Sequence, residues 1–431
     1  MINILPLLLC SCCIISFVLS SEPASVTATN PSIPIPYVRK QAHDPPDPSL
    51  DFESFGFSLN GVDTDYMWLD RTSTSTSSTH SHEEHPISSS FSNDPDICLQ
   101  QLQPLHLHPA STVLNYGQAL FEGLKAFRRT DGSIVVFRPT ENAKRLSNGA
   151  KRLLLHPELP KDIFLQAIDH VVRANAKFIP PPGKGALYLR PLLFGSEKSL
   201  GVKPSKEVTF CIYASPVGNY FKGTLKCIKL QAVRGYSRAS RGGSGNIKAS
   251  GNYAPPFLVQ KQVRERGFDE ALFLDCIRGK YIEEAGASNF FAVFTKTNTI
   301  VTPPLETNTI LPGITRSSII QLARSELGWN VEERNLDISE LKDADETFCC
   351  GTGASITPVG VVNYLSGESS DVDDLNIHDP LHNFEVTFGD GISPGKVTEE
   401  LYRLLLGIQN GDLDNAEVIQ KYSDWIHVVD P

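Results

Sequence analysis

From about residue 112 the chain alternates short apolar runs with longer stretches in which apolar side chains return every third or fourth position, the texture of mixed α/β packing. SIVVFRP (133–139) predicts a strand. TENAKRLSNGAKRLLL (140–155) predicts a helix, because Leu146, Ala150, Leu153 and Leu154 fall at i, i+4, i+7 and i+8. An amphipathic helix over 161–177 leads to two further strands, GALYLRPLLFG and EVTFCIYASPVG. Turn residues in PVGNYFKG place an interdomain connection at 217–224, between an N-terminal α/β domain (51–216) and a C-terminal domain (225–431).

The second half predicts a strand (KCIKLQAV), a Gly/Ser-rich loop (235–246) and a helix (PPFLVQKQVRERG), then strands around EALFLDC, KYIEEAG and NFFAVFT. TRSSIIQLARSEL predicts a helix with Thr315 as its N-cap. DETFCCGTGASITPVGVV reads as strand, tight turn, strand, and TEELYRLLLGIQNG as a last helix. Residues 22 to about 50 and 72–92 (TSTSTSSTHSHEEHPISSSFS) have too few apolar side chains to pack and read as disordered, and 366–394 reads as a surface excursion. His80, His82 and His85 lack a structured flank or a cysteine, so a solvated linker is preferred there to a metal site.

A length of 431 residues suffices for two domains and extensions. The net charge of −10, from 39 Lys+Arg against 49 Asp+Glu, with no long basic block, argues against nucleic acid or an anionic membrane as partner. Cys10, Cys12 and Cys13 lie in an uncharged apolar leader, Met1 to Ser21, that resembles a signal peptide without its basic n-region. An organelle, plastid or mitochondrion, is the preferred address, with secretory entry and cytoplasm left open. The one Asn-x-Ser triplet, at Asn30, is spoiled by Pro31, which disfavours secretion, and beyond the leader no apolar run is long enough to span a bilayer. Cys98, Cys211, Cys227, Cys276, Cys349 and Cys350 form no CxxC pair, and reduced thiols are expected.

GGSGNIKASGNY sets a lysine in a glycine-rich loop without the GK[ST] of a nucleotide P-loop. RGYSRASRGG, just before it, is a short segment of RGG-like RNA-binding texture in an acidic chain. A lysine desolvated or flanked by cations is a nucleophile toward carbonyls and can hold an aldehyde cofactor. Lys248 is the candidate. An aldehyde cofactor of the pyridoxal phosphate kind also needs an acid for its ring nitrogen, an anion site, and groups for the substrate carboxylate.

In LNYGQALFEGLKAFR, FRPTENAKRL, GKGALYLRPLLFGS, ASPVGNY, NIKASGNYAPP, KYIEEAGASNFF, ILPGITRSSII and FCCGTGASITPVG, in that order over about 112–365, the sequence resembles the branched-chain aminotransferases of fold type IV, nearest their plant-like branch. The resemblance implies a two-domain α/β (α+β) fold, a small α/β domain with a larger pseudo-barrel domain, and pyridoxal 5'-phosphate between them. It implies that Lys248 carries the cofactor as a Schiff base and shuttles a proton, while Glu284 bonds the ring nitrogen. Glu283 would then point away, since neighbours on a strand face opposite sides. Arg145, Ile314, Thr315 and Thr352 would bind phosphate, with Tyr253 also at the cofactor. Gly353 and Ala354 would take the substrate α-carboxylate, assisted by Tyr188.

Arg190, Tyr116 and Tyr220 would receive the glutamate γ-carboxylate, and Phe121, Tyr253, Leu200 and Val202 would form the apolar wall. The resemblance further implies a homodimer, with Tyr116, Leu200 and Val202 reaching the partner's site, and reversible transamination of L-leucine, L-isoleucine and L-valine with 2-oxoglutarate. D-amino-acid aminotransferase and aminodeoxychorismate lyase are rivals within the fold, and a non-catalytic pyridoxal-binding scaffold is a rival outside enzymology.

Overall fold

The computed structural model describes residues 44–56, 62–74, 88–218, 225–365 and 383–430. The apolar leader, His80, His82, His85 and Tyr220 lie outside them, as does most of the expected interdomain connection. In the first half the strands are β1 (Tyr66–Ser73), β2 (Leu99–Gln101), β3 (Ala119–Phe121), β4 (Leu124–Arg128), β5 (Ile134–Phe137), β6 (Gly185–Gly195) and β7 (Glu207–Gly218). Its helices are α1 (Pro95–Cys98), α2 (Thr112–Tyr116), α3 (Pro139–Leu153) and α4 (Lys161–Ala174). The second half adds β8 (Ile228–Val233), β9 (Glu270–Leu274), β10 (Tyr281–Ala285), β11 (Asn289–Phe294), β12 (Thr299–Thr302), β13 (Asn330–Glu333), β14 (Leu336–Asp337), β15 (Glu346–Gly351), β16 (Ser355–Tyr364), β17 (Phe384–Thr387) and β18 (Ile426–Val428). With them come helices α5 (Phe257–Glu265), α6 (Ile314–Ser325), α7 (Lys396–Asn410) and α8 (Ala416–Lys421).

The first sheet runs β18-β5-β4-β6-β7-β1-β2 with β3 also on β6, and every pairing in it is antiparallel. The second runs β13-β12-β11-β15-β16-β8-β9-β10-β14. An additional pairing of β10 with β11, through Glu284 opposite Asn289, closes β11, β15, β16, β8, β9 and β10 into a ring. That closure is the pseudo-barrel expected of the second half. It also removes free edges from the strands that carry Glu284.

Alternation along the barrel strands sorts side chains into separate cores. Phe290 and Ala292 of β11 and Cys349 of β15 join a cluster with Leu230, Leu272 and Ile282. Phe291, Val293, Phe348 and Cys350 face the other way and pack with α6, α7 and with Phe127, Val135 and Val217 of the first sheet. Cys349 and Cys350 therefore sit in different cores although they are adjacent. A third cluster joins α3 and α4 to the first sheet through Leu146, Ala150, Phe164, Ile168 and Phe210.

The structure corrects several boundaries. Thr72 and Ser73 belong to β1, and Phe91 is buried in the core, so the polar tract over 72–92 is ordered at both ends. Thr72 bonds into the sheet through Val208, which a serine/threonine count cannot reveal. Asp47 N donates to Lys177 O and Leu50 packs on the core, so structure begins before residue 50. β7 runs to Gly218, as read from EVTFCIYASPVG, and so takes Val217 and Gly218, the first two residues of the expected connection. Within the expected excursion, β17 pairs with β16 and Phe388 is buried. Leu154, expected on the buried stripe of α3, is instead its exposed C-cap at φ 54. Gly313, not Thr315, caps α6.

Candidate active site

The site is assembled where the first sheet meets the open end of the barrel. β3 ends at Phe121, whose N–H donates to Lys248 O (3.1 Å), and a bridge pairs Leu120 with Ala249. These contacts fix the backbone of Lys248 against the first sheet. The glycine-rich loop before it is pinned by Asn252, whose Nδ2 donates to Ser244 O (2.7 Å) and Ile247 O (3.0 Å).

Lys248, Arg145, Arg238, Tyr253, Glu284, Asn289, Gly313, Ile314, Thr315, Cys350 and Thr352 line one cleft. The amine of 248, the carboxylate of 284 and the guanidinium of 145, dispersed in sequence, thus share a hollow. The Lys248 Nζ donates to the Tyr253 hydroxyl (3.2 Å) and lies 4.6 Å from the centre of the Phe121 ring. Desolvation, reinforced by the nearby Arg145, Arg190 and Arg238 and opposed by Glu122, depresses its amine to about 7. Such an amine is substantially neutral near pH 7, the form that attacks an aldehyde.

Glu284 is held by two hydrogen-bond donors and an ion pair. Asn289 Nδ2 reaches Oε2 (3.2 Å), Leu311 N reaches Oε1 (3.1 Å), and the buried Arg238 guanidinium lies 2.5 Å from Oε1. Burial pushes its carboxyl up to about 7 against the pull of Arg238. A protonated ring nitrogen placed against it would favour the carboxylate again. Glu283, one residue earlier, lines a different hollow with Arg241, Asp275 and Thr309, as strand alternation requires.

Arg145, from the buried side of α3, meets Glu122 with two parallel bonds, Nε to Oε1 at 2.8 Å and Nη2 to Oε2 at 2.7 Å, and its Nη1 donates to Pro312 O at 3.1 Å. Burial disfavours its charge and Glu122 more than restores it, so its pKa is raised overall. Three of a guanidinium's five N–H groups are used in these bonds, leaving two for an anion in the cleft. Opposite it α6 begins. Gly313 provides no side-chain cap, so the first-turn N–H groups at Ile314 and Thr315 are without one, the usual setting for phosphate at a helix start. A Cβ on Gly313 would overlap Asn289 Oδ1, and one on Gly123 would overlap the Tyr188 hydroxyl, so both glycines allow close packing around the site. Cation, helix start, buried acid and reactive amine in one cleft together fit pyridoxal phosphate, with Arg145, Ile314, Thr315 and Thr352 as the residues that would hold its phosphate.

Beside the amine, the Arg190 guanidinium lies over Phe121 (4.8 Å) and Tyr188 (5.2 Å), and its Nη2 bonds the Tyr188 hydroxyl (3.3 Å). Phe121 and Tyr253 meet edge to face at 4.8 Å. The turn with Thr352, Gly353 and Ala354 joins β15 to β16. Leu200 and Val202 are 82% and 86% exposed, and the Tyr116 hydroxyl bonds Leu200 O, so these three group together outside this chain's own cleft.

Sequence reasoning missed Glu122, Arg238, Asn289 and Lys125. Glu122 and Lys125 stand within LFEGLKAFR, and an acid 23 residues before its helix-bound arginine partner carries no spacing signal. Arg238 lies in the RGG-like tract, yet its side chain is 2% exposed and paired with Glu284.

A family model for amino-transferase class IV matches residues 119–362. A chloroplastic branched-chain-amino-acid aminotransferase of Arabidopsis thaliana is 45% identical over 74% of this chain and 72% of its own length. A mitochondrial one from the same plant is 41% identical over 88% of this chain and 86% of its own. The Escherichia coli branched-chain amino acid aminotransferase superposes with a TM-score of 0.62 at 27% identity, covering 85% of this chain and all of that one. Cleft chemistry, barrel closure and these likenesses agree: the chain belongs to the pyridoxal-phosphate-dependent class IV aminotransferases, in their branched-chain-amino-acid group.

Proposed function

We propose that this cleft performs reversible transfer of the amino group of L-leucine, L-isoleucine or L-valine to 2-oxoglutarate, with the residues in the roles that follow. The supporting observation is the arginine set among aromatic rings beside the reactive amine. Arg190 lies over Phe121 and Tyr188, so one pocket offers an apolar wall to a branched side chain and a cation to the glutamate γ-carboxylate. Tyr253 adds to that wall, Tyr116, Leu200 and Val202 would reach the corresponding pocket of a partner chain, and Tyr220, expected on the cationic side, lies outside the described residues.

Bound pyridoxal phosphate supplies an electron sink for charge developing at the substrate Cα. Lys248 holds the cofactor and then, as a free amine, moves the proton at Cα. The depressed basicity of that amine suits a group that must both accept and release a proton near neutrality. Glu284 keeps the ring nitrogen protonated and Tyr253 orients the amine through its hydroxyl. Gly353 and Ala354 receive the α-carboxylate, with Tyr188 beside them.

Purified chain supplied with pyridoxal phosphate, leucine and 2-oxoglutarate should form glutamate, and D-leucine should not replace L-leucine. No glutamate and no long-wavelength absorbance from bound cofactor would sink the reading.

The exposed Leu200 and Val202, with Tyr116, support a homodimer in which they reach the partner's pocket. A native mass of a single chain would refute it. An organellar address is supported by relatives named chloroplastic and mitochondrial and by the apolar leader. A tagged full-length chain found outside plastids and mitochondria would refute that.

A further inference from the structure

Lys125 sits on β4 next to the site, and none of the roles above uses it. Its Nζ crosses from the first sheet to the barrel and donates to the carbonyl oxygen of Gly353 at 2.6 Å, between residues 228 positions apart in sequence. In the β4–β6 ladder Lys125 stands opposite Tyr188, whose hydroxyl accepts from Arg190. Opposite residues in a ladder project on the same face, so Lys125 and Tyr188 approach the turn over 352–354 from one side. The turn itself ends at Ser355 with φ 61, a left-handed conformation that a serine adopts only when its surroundings impose it. A poorly solvated ammonium is thus set on a backbone carbonyl of a strained turn. Desolvation lowers that amine to about 8.

The carbonyl of Gly353 and the N–H of Ala354 belong to one planar, resonance-coupled peptide group. A cation on the oxygen draws electron density through that group and makes the N–H a stronger donor, the same polarisation that strengthens chains of hydrogen bonds. We propose that Lys125 is a positioning residue for the substrate carboxylate: its ammonium holds the 352–354 turn and polarises the Gly353–Ala354 peptide, so that Ala354 N–H binds an anionic carboxylate in preference to a neutral group. This rests on the reading that the turn receives the α-carboxylate.

The test compares two ligands of the cofactor-loaded enzyme by calorimetry: 4-methylpentanoate, which is leucine without its amino group, and its neutral amide. In the unaltered enzyme the carboxylate should bind better. Lys125→Met should weaken 4-methylpentanoate roughly tenfold or more and leave the amide within about twofold, with KM for leucine rising more than kcat falls. Lys125→Gln keeps an N–H for the carbonyl without the charge. It should show the same selective loss, and it provides the measurement if the Met variant does not fold. Equal weakening of both ligands, or an unchanged preference in both variants, overturns the role of Lys125. If the unaltered enzyme itself fails to prefer the carboxylate, the reading of the turn falls instead.

Discussion

Glu122 and Arg145 face each other through two parallel hydrogen bonds in a setting where the carboxylate is wholly buried and the guanidinium 9% exposed. Asn142 Nδ2 adds a third bond to the same carboxylate at 2.7 Å. The pair fixes the angle at which Arg145's remaining donors enter the cleft.

Glu122→Gln should therefore act on stability as well as on phosphate binding. Breaking a buried ion pair by neutralising one partner strands the other, at about 3–5 kcal/mol. Denaturant unfolding of the cofactor-free chain should show an unfolding free energy lowered by that order and an earlier midpoint, and pyridoxal phosphate should bind more weakly. An unchanged midpoint would mean that the pair contributes nothing.

The two adjacent glutamates on β10 make opposite forecasts. Glu284→Gln removes a charge-assisted bond to the ring nitrogen, worth about 1.5–3 kcal/mol, and so should lower kcat roughly 10- to 150-fold. Glu283→Gln, which alters a group in the other hollow, should leave kcat within about threefold. Steady-state rates with leucine check both, and equal losses would contradict the facing of the strand.

Reconstitution should reveal the basicity of Lys248. The neutral amine reacts with the aldehyde, so the rate of cofactor capture by the cofactor-free chain at fixed pyridoxal phosphate should rise about tenfold per pH unit below 7 and level off above it. The sign follows from the lowered pKa: the reactive form gains population as pH climbs through about 7, where an ordinary lysine would keep gaining up to about 10.4. Stopped-flow absorbance between pH 6 and 9, on the order of one point per half unit, would expose a continued climb and thereby refute the depressed value.

Arg190→Gln should separate the two substrates. Losing the cation ought to raise KM for 2-oxoglutarate roughly tenfold to a hundredfold while the leucine half-reaction changes by less than about threefold, since an apolar side chain has no use for the charge. Single-turnover measurements of each half-reaction distinguish this from a general collapse of the pocket, in which both would slow together.

Much of this was legible in the chain itself. GALYLRPLLFG and EVTFCIYASPVG read as strands and are β6 and β7 to the residue, because both combine long apolar runs with β-forming side chains. Lys248, Glu284 and Arg145 were nameable from the blocks around them, and all three line the one cleft. The illegible parts depend on distant partners. Thr72 and Ser73 are strand because β7 supplies their ladder, and Phe384–Thr387 because β16 does. Glu122, Arg238 and Lys125 gain meaning only from atoms tens or hundreds of positions away, at Arg145, Glu284 and Gly353. No local pattern of apolar and polar positions records such a pairing.

Arg145 enters the cleft from one half of the fold and Ile314, Thr315 and Thr352 from the other, with the Lys248 backbone laced to β3, so the proposed phosphate site is shared between them. A small molecule gripped from both sides in this way is a rivet as well as a reagent. Its binding energy adds to cohesion between halves by mass action, so a cell short of vitamin B6 would lose turnover first and then the protein itself, as the unriveted chain opens to proteases.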